Sequence, residues 1–410
     1  MKEARSARHV TETLRPELKF VLCCGRTLIE PAAKERFHLL VLSDLNWPEV
    51  VAFAAWHRLL PIVHETIAGM GQDLISPGHL NMLRETAASS TANGMALLRE
   101  LLRLNKFFDA AQILAIPYKG PLLAWVAYGS FIRREYSDLD FVVQHKFISE
   151  TVAVLKSAGY RPQFDLQEVH SGQDGIAPGQ FSFLLHPQEI LAEFHTERTL
   201  RYFPTPIDFQ ELTKRLMTVE IGEQCVHTFS IEDTLVMLCV HGAKHFWERL
   251  GWVLDIAKLI TVREVDWTFL LRIAAKMEST RVLLLGLCLA HDLFDAPLPR
   301  QLLEEICRDR TVQELAQKVC EQYAGASDLS AGVWSRAVFR FQSRDGLRKG
   351  FRHTLRLALS PTESDRQTVR LPRLLAPLYT IVRPWRLLRE YGLGSNRRRK
   401  TDHSHGGPAS

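Results

Sequence analysis

The chain has 410 residues, of which 46% are hydrophobic and 24% charged, and a net charge of +5. This is the composition of a soluble globular protein with two or three domains, long enough to bury its own core without staples. Much of the excess charge sits in Arg397, Arg398, Arg399 and Lys400, so the remainder has no general electrostatic footprint for nucleic acid. The seven cysteines are odd in number and show no CxxC spacing, which fits a reducing cytoplasm rather than a disulfide framework or a zinc site. The longest apolar run, Val282 to Ala290, falls far short of the roughly 20 residues that cross a bilayer. Phe20–Cys24 is too short for a secretory signal. A cytoplasmic protein without a transmembrane segment is expected.

Residues 1–110 read as helical. Asn46-Trp47-Pro48-Glu49 marks a helix start with proline just inside the first turn. A second helix is expected from Met95 to about Ala115, with Leu97, Leu98, Leu101, Leu102, Leu104 and Phe108 on one stripe. Near Ile113 the pattern changes to a short buried strand ending at Lys119. Gly120 breaks it, and Pro121 opens an apolar helix through Tyr128. After a loop comes the strand Leu139–Val143. A helix over Val152–Ala158 ends at Gly159, and Gly172 to Gly179 reads as loop. Phe181–Leu185 and Ile190–His195 form a hairpin around His186–Glu189. From Ser230, where Ser230-Ile231-Glu232-Asp233 resembles a capping box, everything reads as helical, to a polar tail from about 395.

Asp138-Leu139-Asp140 is the most informative tripeptide. Two residues apart on a strand, both carboxylates share one face. Side by side they repel unless a cation joins them, and with a third acid on a neighbouring strand they suit paired Mg²⁺ ions. Glu193, inside an apolar strand two residues before His195, is the candidate third acid. The strand, glycine turn and helix before Asp138 put backbone N–H groups and a helix N-terminus nearby, an anion site to which Lys119 adds a charge. Alone, the tripeptide is more often an ordinary surface strand.

Tyr118-Lys119-Gly120, Tyr128, Arg134 and Asp138 to Val143 resemble the core motif of an uncharacterised bacterial nucleotidyltransferase family, a branch of the DNA polymerase β-like superfamily. Ala192-Glu193-Phe194-His195 is similar to its third-carboxylate segment, and His241-Gly242-Ala243-Lys244-His245-Phe246-Trp247, Trp252 and Asp255-Ile256 to its helical signature. Asn46-Trp47 and Arg383-Pro384-Trp385 resemble its two ends. Gly120 is followed by Pro121 where the superfamily usually shows Gly-Ser or Gly-Gly. Gly129-Ser130 is the alternative turn, but only seven residues separate Ser130 from Asp138, so Gly120 is taken as the turn.

The resemblance implies an α+β protein. A helical N-terminal region (1–110) leads into a small mixed-sheet nucleotidyltransferase domain (111–228), a helical C-terminal domain (229–394) and a disordered basic tail (395–410). It implies transfer of a nucleoside monophosphate from an NTP to an unidentified small-molecule, peptide or saccharide acceptor. Asp138, Asp140 and Glu193 would hold two Mg²⁺ ions, with Mn²⁺ a possible substitute, and Lys119, Gly120 and Arg134 would hold the nucleotide. His195, His241, His245 and Asp255 are candidates to line the cleft. His241 and His245, four apart on one helix face, can also bind zinc, but a core polar network with Asp255 is the expected arrangement. Rival readings are a catalytically silent nucleotide-binding or partner-binding protein and a kinase-like phosphoryl transferase. Arg383, Arg386 and Arg389 form a basic helix face, with Trp385, Leu387 and Leu388 opposite. A docked surface helix is expected there, with peripheral membrane contact the alternative.

Overall fold

The frame begins with a single long helix, Pro77–Ala110, whose Leu83, Ala87, Leu97, Leu98, Leu101, Leu104 and Phe108 are buried along one side in a computed structural model of the chain. Described are residues 14–26, 31–163, 180–197, 207–326, 329, 332–359, 368, 369, 371 and 373–391. The glycine-rich segment 172–179 and the basic tail lie outside them. The chain divides into two compact units, Met1–Thr354 and Leu355–Ser410.

In the first unit the long helix starts well before Met95, because Ser76 caps it and Pro77 takes its first turn. The small and polar stretch Thr86–Gly94 is helical as well, although its apolar periodicity is weak. Among the described residues, four shorter α-helices precede it: Pro16–Gly25, Pro31–Val41, Trp47–Trp56 and Leu60–Met70. Asn46 caps the third of these by accepting from Glu49 N.

Among the described residues, a sheet of five strands follows in the order β1-β2-β5-β4-β3: β1 Ile116–Pro117, β2 Asp138–Val143, β3 Tyr160–Pro162, β4 Gln180–Leu185 and β5 Ile190–Thr196. β2 and β5 run parallel with Asp140 opposite Glu193 and Val142 opposite His195, while the other pairs are antiparallel. The sheet is therefore mixed, within the expected α+β class. Its back face is apolar: Leu139, Phe141, Ala192 and Phe194 are buried. Phe141 and Phe194 stack at 4.8 Å, and Phe108 of the long helix lies against both. That aromatic layer fixes the sheet on the helix and turns the alternate residues, including Asp138, Asp140, Glu193 and His195, to the front.

A two-stranded hairpin, β6 Met217–Ile221 and β7 Gln224–Thr228, comes next; the reading of the sequence contains no such hairpin. The N-cap half of the box holds, since Ser230 Oγ accepts from Asp233 N at 3.1 Å, while the Asp233 carboxylate pairs with Arg215 and lies by Ser230 Oγ. Helices Ile231–Lys244 and Leu250–Val262 both pack on Thr280–Phe294, and Leu250–Val262 also packs on Gly120–Tyr128. Gly242 and Gly286 are small of necessity: a Cβ at Gly242 would lie 2.4 Å from the Trp247 ring, and one at Gly286 would lie 2.4 Å from Cys239 Sγ.

In the second unit, helix Tyr379–Tyr391 departs from expectation. Arg383 is turned inward, 8% exposed, and donates to Leu357 O at 2.9 Å, whereas Trp385 is half exposed. A backbone carbonyl satisfies the guanidinium, so the arginine goes in and the indole stays out. The side chains of Leu387 and Leu388 lie outside what is described.

Candidate active site

Gly120 begins the site. Its φ of +53° is a conformation that favours glycine, and a Cβ there would meet Asp138 O at 3.2 Å. The chain thus turns directly from β1 into helix Gly120–Tyr128, with Pro121 in its first turn. Gly129, at φ +63°, ends that helix, with its N–H on Trp125 O. The N-terminus of the helix lies beside the front of β2, and Gly129-Ser130 closes the far end.

On the sheet front, Asp140 is 5% exposed. Its Oδ1 accepts from Lys119 Nζ at 3.1 Å and lies 3.3 Å from His195 Nε2. Glu193 accepts from Gln180 Nε2 at 2.9 Å and Ser182 Oγ at 3.4 Å, and its Oε2 is 3.8 Å from His195 Nε2. Asp140, Glu193 and His195 offer one ligand atom each within 4.8 Å of one another. Asp138, one strand step away on the same face, lines the same cavity but lies outside that group.

Electrostatics separate the two aspartates. Burial pushes the Asp138 carboxyl up, and neighbouring Asp140 pushes it further. Burial acts the same way on Asp140. There it is overridden by the Lys119 ammonium and the His195 hydrogen bond, which hold the group well below the usual carboxylate range.

These groups open on a cavity of about 390 Å³. Tyr118, Lys119, Asp138, Asp140, Gln180, Glu193 and His195 line one side, and Met237, Val240, His241, Lys244 and His245 of helix Ile231–Lys244 and its end line the other. His241 and His245 do not form a network with Asp255. Their rings lie 4.7 Å apart and pack on Trp252 at 5.1 and 5.3 Å. Burial lowers both, His245 to about 3, so both imidazoles are neutral where they face the cavity.

Arg134 and Asp255 lie apart from this lining. Arg134 forks onto Asp255 through Nε at 2.8 Å and Nη2 at 2.9 Å, and Tyr128 Oη donates to the same carboxylate at 2.8 Å. This charge-assisted pair joins the loop before β2 to helix Leu250–Val262 and keeps the Arg134 side chain off the cavity lining. Gln180 and Ser182 carry no signal in the sequence, and Tyr118 enters it only as part of the Tyr118-Lys119-Gly120 motif, without a role of its own. Gln180 and Ser182 reach Glu193 only through the β4–β5 register.

The sequence matches the family described as uncharacterised nucleotidyltransferase over residues 43–295, and the chain belongs to that family. Membership implies nucleotidyl transfer with an NTP as substrate. An antigenic nucleotidyltransferase-like protein from Paracoccidioides brasiliensis is similar at 18% identity and a TM-score of 0.30, over 51% of this chain and 95% of that one. No curated protein matches. Among the described residues, no helix is long and apolar enough to cross a membrane.

Proposed function

We propose that the protein moves a nucleoside monophosphate from an NTP to an acceptor hydroxyl or phosphate with release of pyrophosphate, on a DNA polymerase β-like sheet. The observation that carries this is the Asp140, Glu193 and His195 group, set side by side on parallel strands at the wall of a cavity that Lys119 also lines.

The donor set fits a divalent cation. Carboxylate oxygens dominate it, as Mg²⁺ and Mn²⁺ prefer, and Asp138 on the same face offers oxygens toward a second ion. When bound, such ions would neutralise charge at the α-phosphate and acidify the acceptor oxygen. The chain supplies the rest. Lys119 counter-charges Asp140 and is within the same cavity to meet a phosphate. The first N–H groups of helix Gly120–Tyr128 present the positive end of its dipole. Arg134 acts at a distance, holding the loop that leads into Asp138 through its pair with Asp255. Neutral His241 and His245 face the carboxylates across the cavity, where an acceptor would enter as a small molecule, peptide or saccharide.

The test is release of pyrophosphate from each NTP, with and without Mg²⁺ or Mn²⁺, together with the product mass. Asp140→Asn and Asp138→Asn are expected to abolish release with the fold retained. Normal turnover in either variant contradicts the assignment. A product heavier by one phosphate alone indicates kinase-like transfer, and nucleotide binding without release indicates a silent fold.

A further inference from the structure

Helix Leu347–Leu359 has its faces reversed relative to an ordinary surface helix. Leu347, Phe351, Leu355 and Leu359 recur at every fourth residue along one side and are 77%, 65%, 46% and 39% exposed. The side turned inward instead carries a glycine and a histidine. A Cβ on Gly350 would lie 2.8 Å from Phe341 O, so that face is seated on helix Val333–Gln342. His353 is 3% exposed and accepts from Arg344 Nη2 at 3.0 Å.

Charge follows the stripe. Arg348, Arg352 and Arg356 each come one residue after an exposed apolar side chain, so at 3.6 residues per turn they run as a basic edge along it, with Lys349 behind. The helix contains no acidic residue. Arg352 meets Glu278. Arg348 and Lys349 have no acidic partner among the described residues.

We propose that this helix docks the protein on a membrane surface rich in anionic phospholipid. The apolar stripe would lie among the headgroups and the basic edge on their phosphates. An apolar stripe with a purely cationic border matches that surface in both parts. A second copy of the chain would bring two basic edges together. A nucleic acid would leave four large apolar side chains against phosphate and water.

The test is co-sedimentation of the full chain with vesicles of phosphatidylcholine alone and of equal parts phosphatidylcholine and phosphatidylglycerol, so it does not depend on nucleotidyl transfer. Binding at least tenfold tighter to the anionic vesicles is expected, weakening as salt rises. A basic residue at such a surface is worth about 1 kcal/mol. Arg348→Gln with Lys349→Gln should therefore weaken binding roughly thirtyfold, at about 1.4 kcal/mol per factor of ten. Leu347→Gln with Phe351→Gln should weaken it at least as much, whereas Phe351→Leu, which keeps an apolar side chain, should bind like the wild type. Equal binding to both vesicles, or a Leu347→Gln, Phe351→Gln protein that binds like the wild type, overturns the proposal. So does a wild-type dimer in gel filtration that Phe351→Gln splits into monomers.

Discussion

Replacing Lys119 by methionine tests whether the ammonium counter-charges the carboxylate group. In the wild type, Nζ sits 3.1 Å from Asp140 Oδ1, with the two side chains 11% and 5% exposed. At that distance and an effective dielectric near 20, the attraction is about 5 kcal/mol. Water in the adjoining cavity screens part of it, leaving a loss of roughly 2–4 kcal/mol when one partner of a buried pair is removed. Unfolding the 354-residue unit Met1–Thr354 involves about 2.1 cal/mol/K per residue, so Tm should fall by roughly 3–5 °C in EDTA. A divalent cation then has more to neutralise and no ammonium to displace, so Mg²⁺ should raise the Tm of Lys119→Met further than that of the wild type. Losing a charge-assisted phosphate contact, about 1.5–3 kcal/mol, should also raise the NTP dissociation constant roughly tenfold to a hundredfold. Ser130→Ala, at the far end of the helix, should change none of the three. Thermal scans with and without Mg²⁺ and a nucleotide titration read all three. An unchanged Tm in EDTA, or a Mg²⁺ shift no larger than the wild type's, refutes the reasoning.

Glu135 gives a pH signature. Burial holds its carboxyl up at about 7, even though Leu60 N donates to it and Arg58 is near. Its folded value lies above its unfolded one, so its stability contribution is present below about pH 4.5 and is lost as pH rises through 7. Glu135→Gln keeps an acceptor for Leu60 and should be more stable at pH 8 by roughly 1–3 kcal/mol, with little difference at pH 4; equal denaturation midpoints at pH 8 count against it. Arg134→Met and Asp255→Asn should each destabilise by about 3–5 kcal/mol, and the double variant by clearly less than their sum, in urea melts. Additive losses would mean that the fork is not one unit. Gly120→Ala should cost roughly 1–2 kcal/mol for its positive φ and, by pressing on Asp138 O, slow transfer more than its Tm change suggests. Near-normal transfer would show that the turn tolerates displacement.

Legibility was highest where the period was strong and the partner was near in sequence. The Gly120 turn, the Asp138–Val143 strand, the β4–β5 hairpin and the capped helix at Ile231 follow from local pattern and are present. The β6–β7 hairpin was missed because Met217–Ile221 and Gln224–Thr228 are short and polar on one face, with only Gly222 to mark the turn. The fork of Arg134 on Asp255 spans 121 positions, and no local signal distinguishes a buried guanidinium from a solvated one. The exposed stripe of Leu347–Leu359 is not legible in the sequence either, since periodicity shows that a helix is amphipathic but not which face packs.

The composition of the candidate metal group rests on the register of two strands about fifty residues apart. Alternation puts Asp138, Asp140, Glu193 and His195 on one face, but it leaves open which acid stands beside which. A slip of two residues would keep every side chain on its face while moving Glu193 opposite Asp138 or opposite Val142. What opposes that slip is on the other side of the sheet. Phe141 and Phe194 are in register and stack with rings 4.8 Å apart and 4° from parallel. Phe183 meets Phe194 edge-on at 5.7 Å. Sliding β5 by two residues would leave Phe194 beside Leu139 or Val143 and lose the stack. Aromatic pairs of this kind contribute about 0.5–1.5 kcal/mol beyond their burial. The apolar back of the sheet thereby decides that Glu193 stands beside Asp140, with His195 one step further, and so decides which donors meet at the front.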